Sequence, residues 1–310
     1  MRFTRLLALV AILVTPRSAS AQRPAPALVP SDSNIVFGNV ANAALLMDVY
    51  RPQRSNGLGI IFISGSSWGT SPGYPHDYDD IPLKNDVRDA GGYLGPVMQG
   101  LLGAGFTVFS INHRFAPESR FPEPFYDAQR AVRFIRAHAA AYRIRPEKLG
   151  AMGHSSGAQL AALLGVTDTT IANPHRFPSQ SGSSHVQAVV TLAAPFVVTE
   201  VNMARPGGWG RKMILNLIGS LPEPLADGGF PMTPAIAAAS PLTRVTSAAA
   251  PMLMYQAKDD PVVLATSAPK MAARLTAVGV PNQLVTRPSG MHTPQYDVAE
   301  VVDWFTRYLR

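Results

Sequence analysis

Two serines sit in the pattern Gly-x-Ser-x-Gly: Ser67 in the run Gly65 to Gly69 and Ser155 in the run Gly153 to Gly157. In that pattern a serine hydroxyl stands on a sharp turn, where a neighbouring base can turn it into a nucleophile for acyl transfer. A bare match to so short a pattern is weak, and a single active site uses one nucleophile, so the flanking residues must choose. The turn has to follow a strand and open a helix, whose N-terminus then presents positive charge to a developing anion. Ser155 has Lys148 to Gly153 before it, a short strand pattern, and the helix-forming run Ser156 to Gly165 after it. Ser67 has the apolar run Gly59 to Ser64 before it, but Thr70 to Pro75 (TSPGYP) cannot start a helix. Ser155 is therefore the candidate nucleophile.

A serine of this kind needs a histidine and a carboxylate, in chain order Ser, acid, His for a strand–turn–helix elbow. Of the seven histidines only His292 lies beyond the last strand pattern, in the loop Pro288 to Pro294. The acid belongs after the preceding strand pattern, where Asp259 and Asp260 stand side by side. Asp168, Glu200, Glu223 and Asp227 do not closely follow a core strand.

The elements that must hold these residues follow from periodicity. Ala44 to Tyr50, Gly59 to Ser64, Phe106 to Asn112, His185 to Pro195, Pro251 to Ala257 and Asn282 to Pro288 read as strands. Gly59 to Ser64 is a continuous apolar run, as expected for a strand buried on both faces, and His185 to Pro195 and Pro251 to Ala257 read as buried too. Between them lie helical patterns at Gly92 to Gly105, Glu123 to Tyr142, Ala268 to Gly279 and Asp297 to Leu309. In the second of these Ala128, Ala131, Val132 and Ile135 share a face. Alternation of this kind predicts an α/β fold, a mainly parallel central sheet with helices on both faces. Residues 200–250 interrupt it. They are rich in Pro and Gly and carry one apolar helical face, Met213, Ile214, Leu217, Ile218 and Leu221, expected to form a small cap insertion.

Composition bounds the rest. The 310 residues are 46% apolar and 15% charged, enough for a sizeable core. There is no cysteine, which excludes disulfides, thiol nucleophiles and cysteine-bound metals. Residues 1–21 read as a signal peptide: Arg2 and Arg5, the apolar run Leu6 to Val14, and Ala19 to Ala21 as cleavage site. Nine apolar residues cannot cross a bilayer, so the expectation is a secreted or periplasmic protein with no membrane span in the mature chain. Loss of Arg2, Arg5 and Arg17 brings the formal charge from +7 to +4, without a basic block to suggest nucleic acid. Residues 22–33 form a Pro-rich lead-in and 34–310 the catalytic domain.

Three blocks carry a family resemblance: Leu45 to Pro52 (LLMDVYRP), Ile111 to Leu164 with its Ala-Pro-Glu, Phe-Pro and helix aspartate Asp127, and Ala239 to Val263. Together they resemble α/β-hydrolases of the hormone-sensitive-lipase and acetyl-xylan or feruloyl esterase-like group. The resemblance implies the α/β-hydrolase fold, a serine carboxylesterase without metal or organic cofactor, and a small-molecule or polysaccharide-linked ester as substrate. It favours Asp260 over Asp259, because Asp-Pro-Val-Val is how the acid turn usually reads in the group. It aligns Ser64 to Trp68 with a His-Gly-Gly-Gly-Trp loop that supplies oxyanion-hole amides, so Ser67 is expected to use its N–H. Ser66, Ser67 and Ser156 are the expected oxyanion donors. Serines in place of glycines imply strain if the loop keeps a positive φ. Trp68 and Trp209, with Tyr74 and Tyr78, are candidates for an aromatic substrate wall. Asp77, Asp79 and Asp80 form an incomplete oxygen set for calcium and read as solvated loop acids. Two other readings share these residues. Prolyl-oligopeptidase-like peptidases have the same catalytic order but usually a large extra N-terminal domain, for which this chain leaves no room. A non-catalytic α/β-hydrolase-like binding protein would typically lack a triad member.

Overall fold

The computed structural model describes residues 28–40, 43–69, 93–167, 182–204 and 208–310. The expected signal peptide, the first half of the lead-in (22–27), and the loop carrying Tyr74, Tyr78, Asp77, Asp79 and Asp80 lie outside the described residues.

The strands are β1 Asp32–Val40, β2 Ala43–Tyr50, β3 Gly59–Ile63, β4 Thr107–Ile111, β5 Leu149–His154, β6 Ala188–Leu192, β7 Met252–Ala257 and β8 Asn282–Arg287. They form an eight-stranded sheet in the order β1-β2-β4-β3-β5-β6-β7-β8. The β1–β2 and β2–β4 pairs are antiparallel and the others parallel. The helices are α1 Gly95–Gly103, α2 Glu123–Ala137, α3 Ser156–Val166, α4 Trp209–Ile218, α5 Pro234–Ala239, α6 Ser267–Ala277 and α7 Val298–Leu309. Every residue of β3 is buried, because alternate side chains enter two cores. Ile61 and Ile63 pack with α2, α3 and α6, whereas Ile60 and Phe62 pack with α1 and α7. This is the α/β-hydrolase fold expected from the sequence. Ala128, Ala131, Val132 and Ile135 form the buried face of α2, as their spacing predicts.

Some elements differ from the expected ones. Strand β1 was not foreseen and starts at Asp32, inside the stretch read as lead-in. The second helical pattern stops at Ala137 rather than Tyr142, and the chain continues in tight turns to Arg143 at φ 54°. Helix α4 ends at Ile218, where Gly219 adopts φ 77°; Leu221 lies past the helix but still packs against the same apolar cluster. That cluster joins Met213, Ile214 and Leu217 of α4 to Ile236 of α5, Trp68, Val198, Val262 and Val263. Helices α4 and α5 thus pack on the loops leaving β3, β6 and β7, at the carboxyl ends of the parallel strands. In an open α/β sheet that end is where ligands bind. Among the described residues no helix is long and apolar enough to cross a membrane.

Candidate active site

Backbone geometry places Ser155 at the apex of the β5–α3 turn. Its φ and ψ are 55° and −125°, a conformation L-residues rarely adopt. The flanking glycines are required by close packing. A Cβ on Gly153 would lie 2.4 Å from the Gly157 backbone, and one on Gly157 would lie 2.1 Å from the carbonyl oxygen of Ile63. The turn is thereby pressed against β3, and the Ser155 amide donates to Leu192 of β6 at 2.8 Å.

Ser155 and His292, expected from the flanking pattern and chain order, meet here with Asp260, the acid that the resemblance favours. The Ser155 hydroxyl lies 2.8 Å from His292 Nε2, and His292 Nδ1 lies 3.0 Å from both carboxylate oxygens of Asp260. A carboxylate only accepts, so Nδ1 carries the proton and Nε2 is left as the acceptor for the serine O–H. The Asp260 side chain is fully buried. Its Oδ1 also accepts from the amides of Val262 at 2.8 Å and Val263 at 3.0 Å, and its Oδ2 from Gln256 Nε2 at 3.3 Å. Asp259 points elsewhere. It is exposed and accepts from the Met291 amide at 2.9 Å, so it ties the loop that carries His292.

The loop after β3 departs from expectation in two places. Ser67 and Trp68 both take positive φ, 53° and 59°, so serine does occupy a backbone conformation that favours glycine. The Ser66 amide, expected to face a substrate oxyanion, donates instead to Ser156 Oγ at 2.9 Å. That hydroxyl compensates the amide and locks the loop to the first turn of α3. Trp68 was expected at the substrate surface, yet it is 1% exposed. Its indole N–H donates to Gln159 Oε1 at 3.0 Å, and Gln159 Nε2 donates to the Ala239 carbonyl at 2.6 Å. One buried amide therefore joins the oxyanion-type loop, the elbow helix and α5. Trp68 supports that loop from beneath. Trp209 opens α4 and is partly buried against the same cluster. Behind the loop, Arg114 donates to both oxygens of the buried Asp127 and fixes the segment whose Ala116 amide donates to the Trp68 carbonyl at 2.9 Å.

Sequence reasoning passed over His154, although it lies inside the Gly-x-Ser-x-Gly run. Its Nε2 is 2.7 Å from the carbonyl oxygen of His292, and its ring packs on those of His292 and Tyr93. Burial, then the nearby His292, lowers its pKa from 6.5 to about 4. The unfolded chain binds the proton near 6.5 and the folded chain only near 4. Stability is therefore full above about pH 6.5 and falls as the pH drops toward 4. One unit is worth about 1.4 kcal/mol, so the loss reaches at most about 3 kcal/mol, reduced by whatever solvent reaches the ring. His113 is shifted in the same direction by burial and adds to the slope. Urea unfolding at pH 4.5 and 7.5 should show this loss, and His154→Gln should make it smaller; an unchanged slope would show that His154 titrates alike in both states.

Among the described residues no group of three or more His, Asp or Glu side chains is arranged to hold a metal ion.

The fold has counterparts among known proteins. A truncated carbohydrate esterase from gut microbiota superposes with a TM-score of 0.70 at 25% identity, covering 90% of this chain and 96% of that one. Esterase LipC of Mycobacterium tuberculosis is 24% identical over 286 residues, 86% of this chain and 63% of its own. Esterase LipQ of the same organism is 25% identical over 252 residues, 80% of this chain and 53% of its own. The chain thus spans less than two thirds of the length of either relative. The BD-FAE family model matches residues 47–275, from β2 through most of α6 and across both the elbow and the acid turn. The chain belongs to the BD-FAE family of hormone-sensitive-lipase-like α/β-hydrolases.

Proposed function

We propose that this chain is an exported serine carboxylic-ester hydrolase that works through an acyl-enzyme on short-chain acyl or carbohydrate/aryl esters. The observation that carries the reading is the unbroken line from the Ser155 hydroxyl through His292 to the buried Asp260, with the serine raised on a strained elbow. The esterase relatives and the carbohydrate-esterase neighbour support the substrate class. Export rests on the n-region, apolar run and cleavage pattern of residues 1–21.

In the reaction, Ser155 Oγ attacks the ester carbonyl while its proton passes to His292 Nε2. Asp260 holds Nδ1–H and stabilises the imidazolium. The oxyanion forms beside the first-turn amide of Ser156, which has no intrahelical acceptor, and the amide of Ser67. Ser66 contributes through its bond to Ser156 Oγ, which fixes the loop. His292 then protonates the leaving alcohol, and water deprotonated by His292 releases the acid.

A panel of p-nitrophenyl esters of increasing acyl length, run beside acetylated xylan and methyl ferulate, tests the reading. Acetate is expected to exceed decanoate. Failure to hydrolyse any ester would return the chain to the non-catalytic reading, and cleavage of prolyl peptides alone would move it to the peptidases. Residues 200–250 act as a cap in this reading, with Trp209 at its leading edge.

Ser67 tests the oxyanion assignment. Ser67→Gly keeps the N–H and relieves a left-handed serine at some entropic cost, so stability should change by no more than about 1 kcal/mol. Activity should stay within about tenfold of wild type. Ser67→Pro removes the N–H and should lose about 10²–10³ in kcat. Equal activity of the glycine and proline variants would remove the Ser67 amide from the mechanism.

A further inference from the structure

His292 stands on a loop with little regular structure of its own. The preceding Met291 is exposed and holds φ 55°, and Gly290 holds φ 140°. Such a loop keeps its shape through ties to its surroundings. Asp259 holds the Met291 amide at 2.9 Å, and the Tyr93 hydroxyl donates to the Pro294 carbonyl at 2.7 Å. Among the described residues the hydrogen bond that reaches the backbone of His292 itself comes from His154, at 2.7 Å.

The chemistry of that bond is determined by its acceptor. A carbonyl oxygen cannot donate, so His154 must carry its proton on Nε2, and its Nδ1 is a bare lone pair. Nδ1 faces the Gly65 backbone so closely that a Cβ there would come within 2.9 Å of it. The ring meets Tyr93 edge-on, with centroids 5.6 Å apart, and His292 at 4.9 Å. Tyr93 is itself held by Tyr296, whose hydroxyl donates to the Tyr93 carbonyl. The titratable groups around His154 are thus His292, Tyr93 and, further off, Asp260; burial keeps the Tyr93 phenol protonated. A cationic His154 would oppose the imidazolium that forms on His292 during attack. The neutral ring imposes no such opposition, and its low pKa keeps it neutral over the range in which an esterase works.

We propose that His154 is a positioning residue for His292: its Nε2–H holds the His292 carbonyl and so sets the reach of the catalytic imidazole to Ser155. The geometry has a consequence for the elbow. The residue before the nucleophile and the residue that activates it are coupled by one hydrogen bond, so the turn that raises Ser155 also holds its base in place. The proposal rests on the reading of Ser155 and His292 as nucleophile and base. A misplacement of about 1 Å in such a pair can cost about 10²-fold in rate.

Two substitutions separate positioning from packing. His154→Gln can place an amide N–H near the position of Nε2 but loses the ring. His154→Phe keeps a ring and loses the donor. With p-nitrophenyl acetate, His154→Phe is expected to lower kcat by about 30- to 100-fold with KM changed less than about threefold, and His154→Gln to recover to within about fivefold of wild type. A packing role predicts the reverse order. Phe equal to or better than Gln, or both within twofold of wild type, overturns the proposal. A second readout does not depend on turnover: the low-field proton on His292 Nδ1, assigned by its loss in His292→Gln. It should be sharp in wild type and His154→Gln and broadened in His154→Phe; no change in the Phe variant overturns the proposal. Should the Phe variant not fold, the imidazole ¹⁵N spectrum of the wild type decides, since a His154 with its proton on Nδ1 leaves the carbonyl without a donor. A wild type that hydrolyses no ester and takes no fluorophosphonate label sinks the esterase reading, while the proton and nitrogen spectra still judge the His154 contact.

Discussion

Ser155→Ala is expected to abolish covalent labelling by a fluorophosphonate and to lower kcat for p-nitrophenyl acetate by about 10⁶. The size follows from what is lost. Asp260 and His292 stay in place, but their proton has no donor and the carbonyl has no nucleophile. What remains is binding and the amides of Ser67 and Ser156, which in comparable sites leave about 10³–10⁴ over water. The fold should survive, because the turn is set by Gly153 and Gly157 and by the Ser155 amide bond to Leu192, none of which the hydroxyl serves. Ser155→Gly should be equally inactive yet more stable than the alanine variant, since glycine adopts φ 55° without strain. Intact mass after labelling gives the answer directly. If Ser155→Ala still gains the adduct and Ser67→Gly does not, the two serines exchange roles and the elbow argument fails.

The choice between those serines was legible because it depends on local pattern. A strand before and a helix after can be read from apolar runs, and the order serine, acid, histidine left few candidates. The buried strands were legible for the same reason: Gly59 to Ile63 is apolar throughout because both faces are covered. Strand β1 was not, because it is an edge strand with two register shifts, Asn34 at positive φ, and Phe37 as its one fully buried side chain. No period of two survives such irregularity.

Residues that act through tertiary contact were hidden for a different reason. Trp68 could be read equally as a substrate wall or as packing; only the sheet order brings Gln159 beneath it and spends its N–H. The Ser66 amide looks free in sequence, and its partner Ser156 lies ninety residues away. His154 was inside the motif and still unnoticed, since its meaning comes from the His292 loop folding back over it. Asp259 and Asp260 are adjacent in the chain, and composition cannot tell them apart. Their directions in space do: one faces the imidazole and the other faces the backbone one residue before it.

That pair carries the last expectation. Asp260→Asn should lower kcat by about 10⁴, whereas Asp259→Asn should stay within about threefold of wild type. At Asp260 the carboxylate faces donors on every side: two backbone amides at Oδ1, Gln256 Nε2 at Oδ2, and His292 Nδ1 at 3.0 Å from both oxygens. An asparagine has one oxygen and one NH₂ to offer. The Val262 and Val263 amides belong to the turn and claim the oxygen. The NH₂ is then left facing Nδ1–H, donor against donor. The imidazole relieves this by moving its proton to Nε2, where it can no longer accept from Ser155. The loss is therefore one of tautomer and should appear in kcat rather than in KM. At Asp259 the only described partner is the Met291 amide, and the carbonyl oxygen of asparagine accepts from it as the carboxylate did. Measuring kcat and KM for both variants with p-nitrophenyl acetate checks the assignment, and a larger loss at 259 than at 260 would move the acid by one residue.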